Sequence, residues 1–330
     1  MTEYDFVAIG DITTDAFIRL EQAEVQDSID HTKKELCVEF AAKIPYESVT
    51  TVPAVGNCAN AAVAAARLGL LSALVTNQGD DANGKEHLVV LKNEHIVRDF
   101  VKSHRGKKTN YHYVLWYGSE RTILVKHEHY TYRMPDVGSP KWIYLTSLGA
   151  NTLSFHLEVE AYLKKHPTTK LAFQPGTFQI NAGVDKMGYF YKRAEVFICN
   201  VEEAEKITGL PSTAKVSELT IALHKLGPRI VIITDGPTGA YFSDGKDAYF
   251  MPPYPDPKAP YERTGAGDAF ASTYISALAM GKTPVEALAW APINSMSVVQ
   301  YVGAREGLLS FRKLKKYLAD APSDYKPTQL

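Results

Sequence analysis

The sequence of 330 residues has little cysteine: Cys37, Cys58 and Cys199 are odd in number and far apart. No disulfide framework and no zinc-ligand spacing can be drawn from them, which points to a reducing compartment. Charge of one sign is also lacking, since 36 Lys and Arg stand against 37 Asp and Glu for a formal net charge of -1. Neither a nucleic-acid-binding stripe nor an acidic tail shows in that balance, and no nucleic-acid partner is expected. No apolar run approaches the ~18 residues needed to span a bilayer, so no membrane partner is expected. The opening MTEYDFVAIGD meets acids at once and does not read as a signal peptide. Internal repeats, low-complexity tracts and Pro/Gly linkers are absent too. These absences lead to the expectation of a cytoplasmic globular protein.

What is present is enough apolar residue, 45% of the chain, for one large core and a second small element. Short branched or aromatic runs at Phe6–Ile9, Ala73–Thr76, Trp142–Leu145, Leu171–Phe173, Val196–Cys199 and Ile230–Thr234 read as strands. Helix-length segments lie between them, among them Ala59–Leu68 with Gly69 as its stop, Ser154–Lys165 and Val216–Leu226. Strand–helix alternation predicts an α/β fold, a doubly wound and mostly parallel sheet with helices on both faces. Two segments break the pattern, at about 12–52 and 101–132. The second holds a hairpin signal: Tyr111, Tyr113, Leu115 and Tyr117 alternate on one face, followed by the turn Gly118-Ser119-Glu120 and then Ile123 and Val125. Both segments are expected to form one small β-sheet lid on a single domain spanning 1–330.

Chemistry concentrates at Glu262–Phe270, ERTGAGDAF. Phe270, Tyr274, Ile275 and Leu278 follow at helical spacing, which places Gly265-Ala266-Gly267-Asp268 at a helix N-terminus. The first backbone N–H groups there have no intrahelical partner, and the helix dipole favours an anion. Glycines allow close approach to that anion. Such a nest suits a phosphoryl group in transit, and an aspartate on the same turn can take the proton of an attacking hydroxyl. Taken alone, the stretch also reads as an N-cap aspartate after a flexible loop.

Further stretches stand in order along the chain. Thr264-Gly265-Ala266-Gly267-Asp268 resembles the C-terminal signature of the ribokinase-like (PfkB) carbohydrate kinases. Val55-Gly56-Asn57-Cys58-Ala59-Asn60, Gly79-Asp80-Asp81 with Gly84, Asn200-Val201-Glu202-Glu203, and Thr234-Asp235-Gly236 with Gly239 are similar to that family's other motifs. The resemblance covers the chain from Gly10 to about Gly303. It implies a kinase that transfers the γ-phosphoryl group of ATP to a hydroxymethyl group of a small sugar. Asp268 would be the catalytic base, and the amides of Gly265, Ala266 and Gly267 the anion hole. Asn200 and Glu203 would help hold Mg2+ and the nucleotide phosphates, Glu203 indirectly, through water. Thr234, Gly236 and Gly239 would line the ATP site. Asp15, Gly56, Asn57 and Asn60 would bind the acceptor. Lid pairing would make a homodimer. A nucleoside kinase of the adenosine type with the same mechanism is the alternative, and a non-catalytic sugar- or nucleotide-binding protein the second. Asp15, Asn200 and Thr234 fall just past predicted strands, where ligands of open α/β sheets bind.

The sequence also departs from the family's pattern. Val55 stands for a glycine, Pro292 lies near a position that is often asparagine, and Gln174-Pro175-Gly176 is unusual after its strand. Glu262 replaces an aspartate that in some members belongs to a monovalent-cation site, which leaves potassium (K+) activation open. Gly79–Glu86 nearly spells a P-loop, but Glu86 cannot supply the hydroxyl that magnesium needs. His127 and His129 alternate and could bind a metal, though exposed lid histidines are the commoner case. The aromatic run Tyr111–Tyr117 could stack on a base, with packing of the lid preferred. Arg105, Lys107, Lys108 and Arg121 read as a solvated rim or as contacts to a substrate phosphate.

Overall fold

The branched runs become strands buried on both faces, and their order in space decides where a site can form. A computed structural model of the chain describes residues 3–29 and 33–330. Residues 30–32, inside the first expected lid segment, lie outside the described residues. The chain begins β1 (Phe6–Ile9), β2 (Thr13–Leu20), β3 (Glu24–Asp27), β4 (Lys34–Cys37), β5 (Tyr46–Val55), α1 (Asn57–Arg67), β6 (Ser72–Gly79) and α2 (Ala82–Asn93). It continues β7 (Val101–His104), β8 (Tyr111–Tyr117), β9 (Glu120–Leu124), β10 (Trp142–Leu145), α3 (Leu153–Lys165), β11 (Lys170–Phe173), α4 (Thr177–Ala182), α5 (Val184–Arg193) and β12 (Val196–Asn200). The last third is α6 (Val201–Thr208), α7 (Val216–His224), β13 (Ile230–Asp235), β14 (Gly239–Ser243), β15 (Ala248–Met251), α8 (Ala266–Ala279), α9 (Pro284–Val298), α10 (Phe311–Ala319) and β16 (Thr328–Gln329).

The large sheet has the order β16-β15-β14-β13-β12-β11-β10-β1-β6-β7. From β13 to β7 all neighbours are parallel. The inner strands of this run, such as β1, β10 and β12, are covered on both faces, which is why they read as unbroken apolar runs. Side chains alternate between the two covers. Phe6 and Ala8 join α1, α8 and α9 in one core, while Val7 and Ile9 join α3, α5 and α7 in the other. The doubly wound sheet expected from the alternation is therefore present. Strands β14, β15 and β16 add an antiparallel edge to it. Among the described residues no helix is long and apolar enough to cross a membrane.

A separate sheet has the order β5-β2-β8-β9, and β3 and β4 pair by themselves. The second lid segment is expected from about 101, but Val101–His104 pairs in parallel with β6 at the edge of the large sheet. A short, half-polar edge strand carries no apolar run to announce it. On β8 the tyrosines do share a face, but it is the outer one. Tyr113 is 49% exposed, whereas Val114 and Trp116 are buried. Register sets His112 beside Asp15, Val114 beside Phe17 and Trp116 beside Arg19, so this second face turns to the body. Tyr113 points away from Asp15 and cannot stack on a ligand held there.

Candidate active site

The start of α8 is shaped by Gly265, which caps the helix with a left-handed φ of 82°. A side chain there would put its Cβ 2.2 Å from the Cβ of Ala304, so only glycine fits. The helical ladder begins with Ala269 N donating to Gly265 O at 2.8 Å, and Ala266 N reaches Arg263 O only at 3.5 Å. The other amides of the first turn are left for an outside partner. A Cβ built on Gly267 would meet no heavy atom within 4 Å, so space for one is open over the turn.

Asp268 sits in that turn with its side chain buried. Asn60 Nδ2 donates to its Oδ2 at 2.9 Å. Burial pushes the carboxyl up to about 6, against the Asn60 bond, which lowers it; the charges of Glu203 and Asp15 add to the rise and that of Arg121 opposes it. A base that titrates near the working pH combines availability with driving force.

The residues expected to bind the acceptor gather where β2, β5 and α1 meet. Gly56, at φ 102°, caps α1, and a Cβ there would stand 2.8 Å from Asp11 O. Asn57 opens the helix, and Asn60 lies in its first full turn. Just before them the β2–β5 register slips between Thr13 and Asp15, and Ala54 takes φ 55°. Arg305 holds this bulge, donating to Pro53 O at 2.6 Å and Ala54 O at 3.3 Å. Asp15 is expected just past a strand. It instead lies inside β2, paired with Val52 and His112, because β2 starts only three residues after Gly10.

Asp11, adjoining the site, is committed elsewhere. It accepts from Tyr132 Oη at 2.6 Å and Gly149 N at 2.7 Å, and His127 Nδ1 lies 3.1 Å from Oδ2. A cavity of about 280 Å³ opens beside it, lined among others by His127, Tyr132, Asn151 and Phe178. His127 and His129 both line this cavity, and no cluster of His, Cys, Asp and Glu able to hold a metal occurs among the described residues.

The residues expected to hold the nucleotide form a second group. Asn200 ends β12 and faces Thr234 of β13 across a parallel register. Asn200 Oδ1 accepts from Glu203 N at 2.7 Å, and Glu203 Oε2 accepts from Asn200 N at 2.9 Å. This capping box explains the spacing of the pair by itself. Burial raises the Glu203 carboxyl above its ordinary range. Gly236 and Gly239 bound the turn after β13, where Gly239 pairs with Asp235. Three strand spacings, about 14 Å, separate β12 from β1 in the sheet order, with α8 on the layer above. Asp268 thus stands between the two groups, close enough to feel the charges of both Glu203 and Asp15.

Glu262, fully buried, lies just upstream. It accepts from Thr264 N at 2.7 Å, Thr264 Oγ1 at 2.6 Å and Gly303 N at 3.3 Å. The aspartates of Gly79-Asp80-Asp81 act as fasteners. Asp80 accepts from Gly106 N at 2.9 Å, and Asp81 accepts from Thr109 Oγ1 at 2.6 Å and Gly84 N at 3.1 Å. They fix the loop that leads into β8. Three residues escape a reading of the sequence. Asp11 adjoins a strand end but belongs to no repeated spacing. His112 is hidden in the aromatic run, and Arg305 follows the last motif.

Comparisons with known proteins bear on the family and on the fold. The sequence profile of the pfkB family carbohydrate kinases matches residues 28–310. Ribokinase of Bacillus subtilis is 28% identical over 292 residues, which are 82% of this chain and 89% of that one. The structure of Arabidopsis thaliana ribokinase complexed with ribose and ATP superposes with a TM-score of 0.78 at 20% identity, covering 96% of this chain and 99% of that one. Methanocaldococcus jannaschii nucleoside kinase gives a TM-score of 0.76 at 16% identity, covering 97% and 100%. The two structural likenesses carry the fold, and the profile match carries the kinship: this chain belongs to the pfkB family of carbohydrate kinases, phosphotransferases that act on an alcohol group.

Proposed function

We propose that this protein transfers the γ-phosphoryl group of ATP to a hydroxymethyl group of a small sugar. The observation that carries the reading is Asp268, a buried carboxyl held near pH 6 on the first turn of a glycine-opened helix, with Asn60 against it. The acceptor hydroxyl attacks the γ-phosphorus, the bond from that phosphorus to the β–γ bridging oxygen breaks, and ADP leaves. Asp268 takes the hydroxyl proton. The amides of Gly265, Ala266 and Gly267 receive the charge on the phosphoryl oxygens, the largest lever in such a transfer. Asp15 has acceptor sites for two neighbouring sugar hydroxyls. Gly56, Asn57 and Asn60 close the acceptor pocket, and Thr234, Gly236 and Gly239 flank the nucleotide. The small sheet acts as a lid that keeps water from competing for the phosphoryl group.

Magnesium fits the donors present. Glu203 spends Oε2 on Asn200 and keeps its other oxygen out of the capping box, which suits contact through water to an ion carried by the nucleotide. Such an ion would neutralise part of the charge that builds up on the phosphates. Potassium does not fit Glu262, whose oxygens already face three donors. On the outer face of the lid Tyr46, Val49, Tyr113 and Leu124 are exposed, which supports pairing with a second copy. Buried, unbridged Cys58 and Cys199 fit a reducing, cytoplasmic setting.

A nucleoside acceptor is the second reading. It is favoured by the cavity beside Asp11, where the rings of His127, Tyr132 and Phe178 could receive a base. An ATP-consumption screen with magnesium tests both, with ribose, fructose, fructose 6-phosphate, 2-keto-3-deoxygluconate, adenosine, cytidine and inosine as acceptors. Turnover of a free sugar supports the first reading. Turnover of nucleosides alone supports the second, and a blank panel with ATP bound returns weight to a non-catalytic role.

A further inference from the structure

The acceptor side carries a polar group to which the proposed function gives no task. His112 stands on β8 directly opposite Asp15 in the parallel β2–β8 register. Its Nδ1 lies 3.4 Å from Asp15 Oδ1, and its side chain is only 14% exposed. Its Nε2 is buried and has no hydrogen-bond partner among the described residues. The same is true of Asp15 Oδ1 and of Asn60 Oδ1. Asn60 in turn touches Asp268. The ring of His127 stands edge-on to His112 at 5.5 Å and is itself placed by Asp11, which leaves the His112 ring little room to turn away.

Buried polar atoms are nearly always paired, so orphans on three different elements call for a common partner. An apolar cofactor would not satisfy them. A compound with several adjacent hydroxyls would, because each hydroxyl can donate and accept. We propose that His112 is a specificity-determining residue of the acceptor pocket, its Nε2 bonding an acceptor hydroxyl next to the one that Asp15 holds. The inference rests on the reading of the chain as a sugar or nucleoside kinase. In its neutral form the ring keeps its proton on Nδ1, toward Asp15, and presents Nε2 as an acceptor. The hydroxyl then donates to His112 while receiving nothing from it, which sets the orientation of the acceptor. The lid strand thereby reads the hydroxyl pattern of the acceptor and does more than cover it.

The test uses the full-length chain with ATP and magnesium. Its acceptors are ribose, 2-deoxyribose, adenosine, 2′-deoxyadenosine and 3′-deoxyadenosine. Wild type is expected to reject at least one deoxy analogue by about 10²-fold or more in kcat/KM, because a site built to bond a hydroxyl leaves its own groups unpaired without it. In His112→Phe the parent acceptor loses most of that factor, chiefly through KM. The analogue changes little, and KM for ATP stays as in wild type. His112→Gln, which retains an acceptor oxygen, regains part of the discrimination. A purely structural role would lower all acceptors together. Wild-type discrimination retained by a folded His112→Phe protein overturns the proposal, as does a wild type that treats all analogues alike. If wild type phosphorylates none of these compounds and none of the fructose, fructose 6-phosphate, 2-keto-3-deoxygluconate, cytidine and inosine of the acceptor screen, the kinase reading itself fails, and that outcome is distinct from the other two.

Discussion

Asn60 and Asp268 lie 208 positions apart in the chain and share a hydrogen bond of 2.9 Å, amide to carboxylate. The bond joins the start of α1 to the first turn of α8, the two places where the acceptor site and the anion cradle are proposed. It favours the charged carboxylate, while burial favours the neutral acid. Asn60→Ala should therefore move the acid limb of the kcat/KM profile to higher pH. Activity at pH 6 relative to pH 8 should fall by about fivefold if the limb moves one unit up from about 6. A limb that stays in place would show that Asn60 does not govern the charge of Asp268.

Asp268→Asn separates catalysis from stability. Loss of a general base should lower kcat by about 10²–10⁴-fold. Stability should change in the opposite sense. The folded carboxyl titrates near 6 against an ordinary 3.8, so the fold prefers the protonated form. That preference is complete below 3.8 and is lost as pH rises through 6, leaving an ionised carboxylate that costs roughly 3 kcal/mol at most. The variant should resist urea better than wild type at pH 8 and no better at pH 4. Near-normal turnover in Asp268→Asn would remove the carboxylate from the mechanism.

His87 controls a different pH window. Buried on α2, it lies 2.8 Å from Thr14 Oγ1 and 3.2 Å from Gln78 Oε1. Gln78 Nε2 donates to Gly84 O at 2.8 Å, which fixes the amide so that Nδ1 of His87 donates to Oε1 and Nε2 accepts from Thr14. The ring is thus held neutral, and burial lowers its pKa to about 4 from an ordinary 6.5. As pH falls below 6.5 the unfolded chain takes a proton that the fold refuses, and stability drops until about 4. The drop attributable to His87 between pH 7 and pH 4.5 should be about 2–3 kcal/mol. His156, lowered by burial as well, acts in the same sense, and Asp268 acts against it. The check is therefore the difference between wild type and His87→Gln in urea unfolding at the two pH values. Equal pH dependence in both proteins would clear His87.

Much of the fold is legible in the sequence, and the reason is physical. Parallel strands buried on both faces must be apolar throughout, so Trp142–Leu145 and Ile230–Ile233 announce themselves. The glycines of 265–267 and the helical spacing after Asp268 likewise follow from local backbone demands. Pairing is what escapes. Nothing near Val101 says that it borders β6, and nothing in the run Tyr111–Tyr117 says which alternate set turns inward. Only the register with β2 shows that His112 and Trp116 face the body while Tyr113 faces away. Glu262 reads as a departure from a motif, and its burial and its bond to Gly303 depend on a loop some forty residues later.

That bond leads to the last prediction. Glu262 is fully buried, yet its carboxylate has Thr264 N, Thr264 Oγ1 and Gly303 N around it. The three donors tie the segment before Gly265 to the loop that carries Ala304, the residue against which Gly265 packs. A cation at the carboxylate would need the oxygens that these hydrogens occupy. Turnover at constant ionic strength should therefore be the same in potassium, sodium or choline chloride to within about twofold, since screening by the three salts is equal. Glu262→Asp is one methylene shorter and cannot reach both Thr264 and Gly303. The unpaired donor should cost about 1–3 kcal/mol in thermal or urea unfolding. It should also loosen the Gly265 turn, so that kcat falls further than KM changes. Activation of wild type by potassium of tenfold or more would mean that a cation competes successfully with these donors, and the account of Glu262 as a self-contained tie would be wrong.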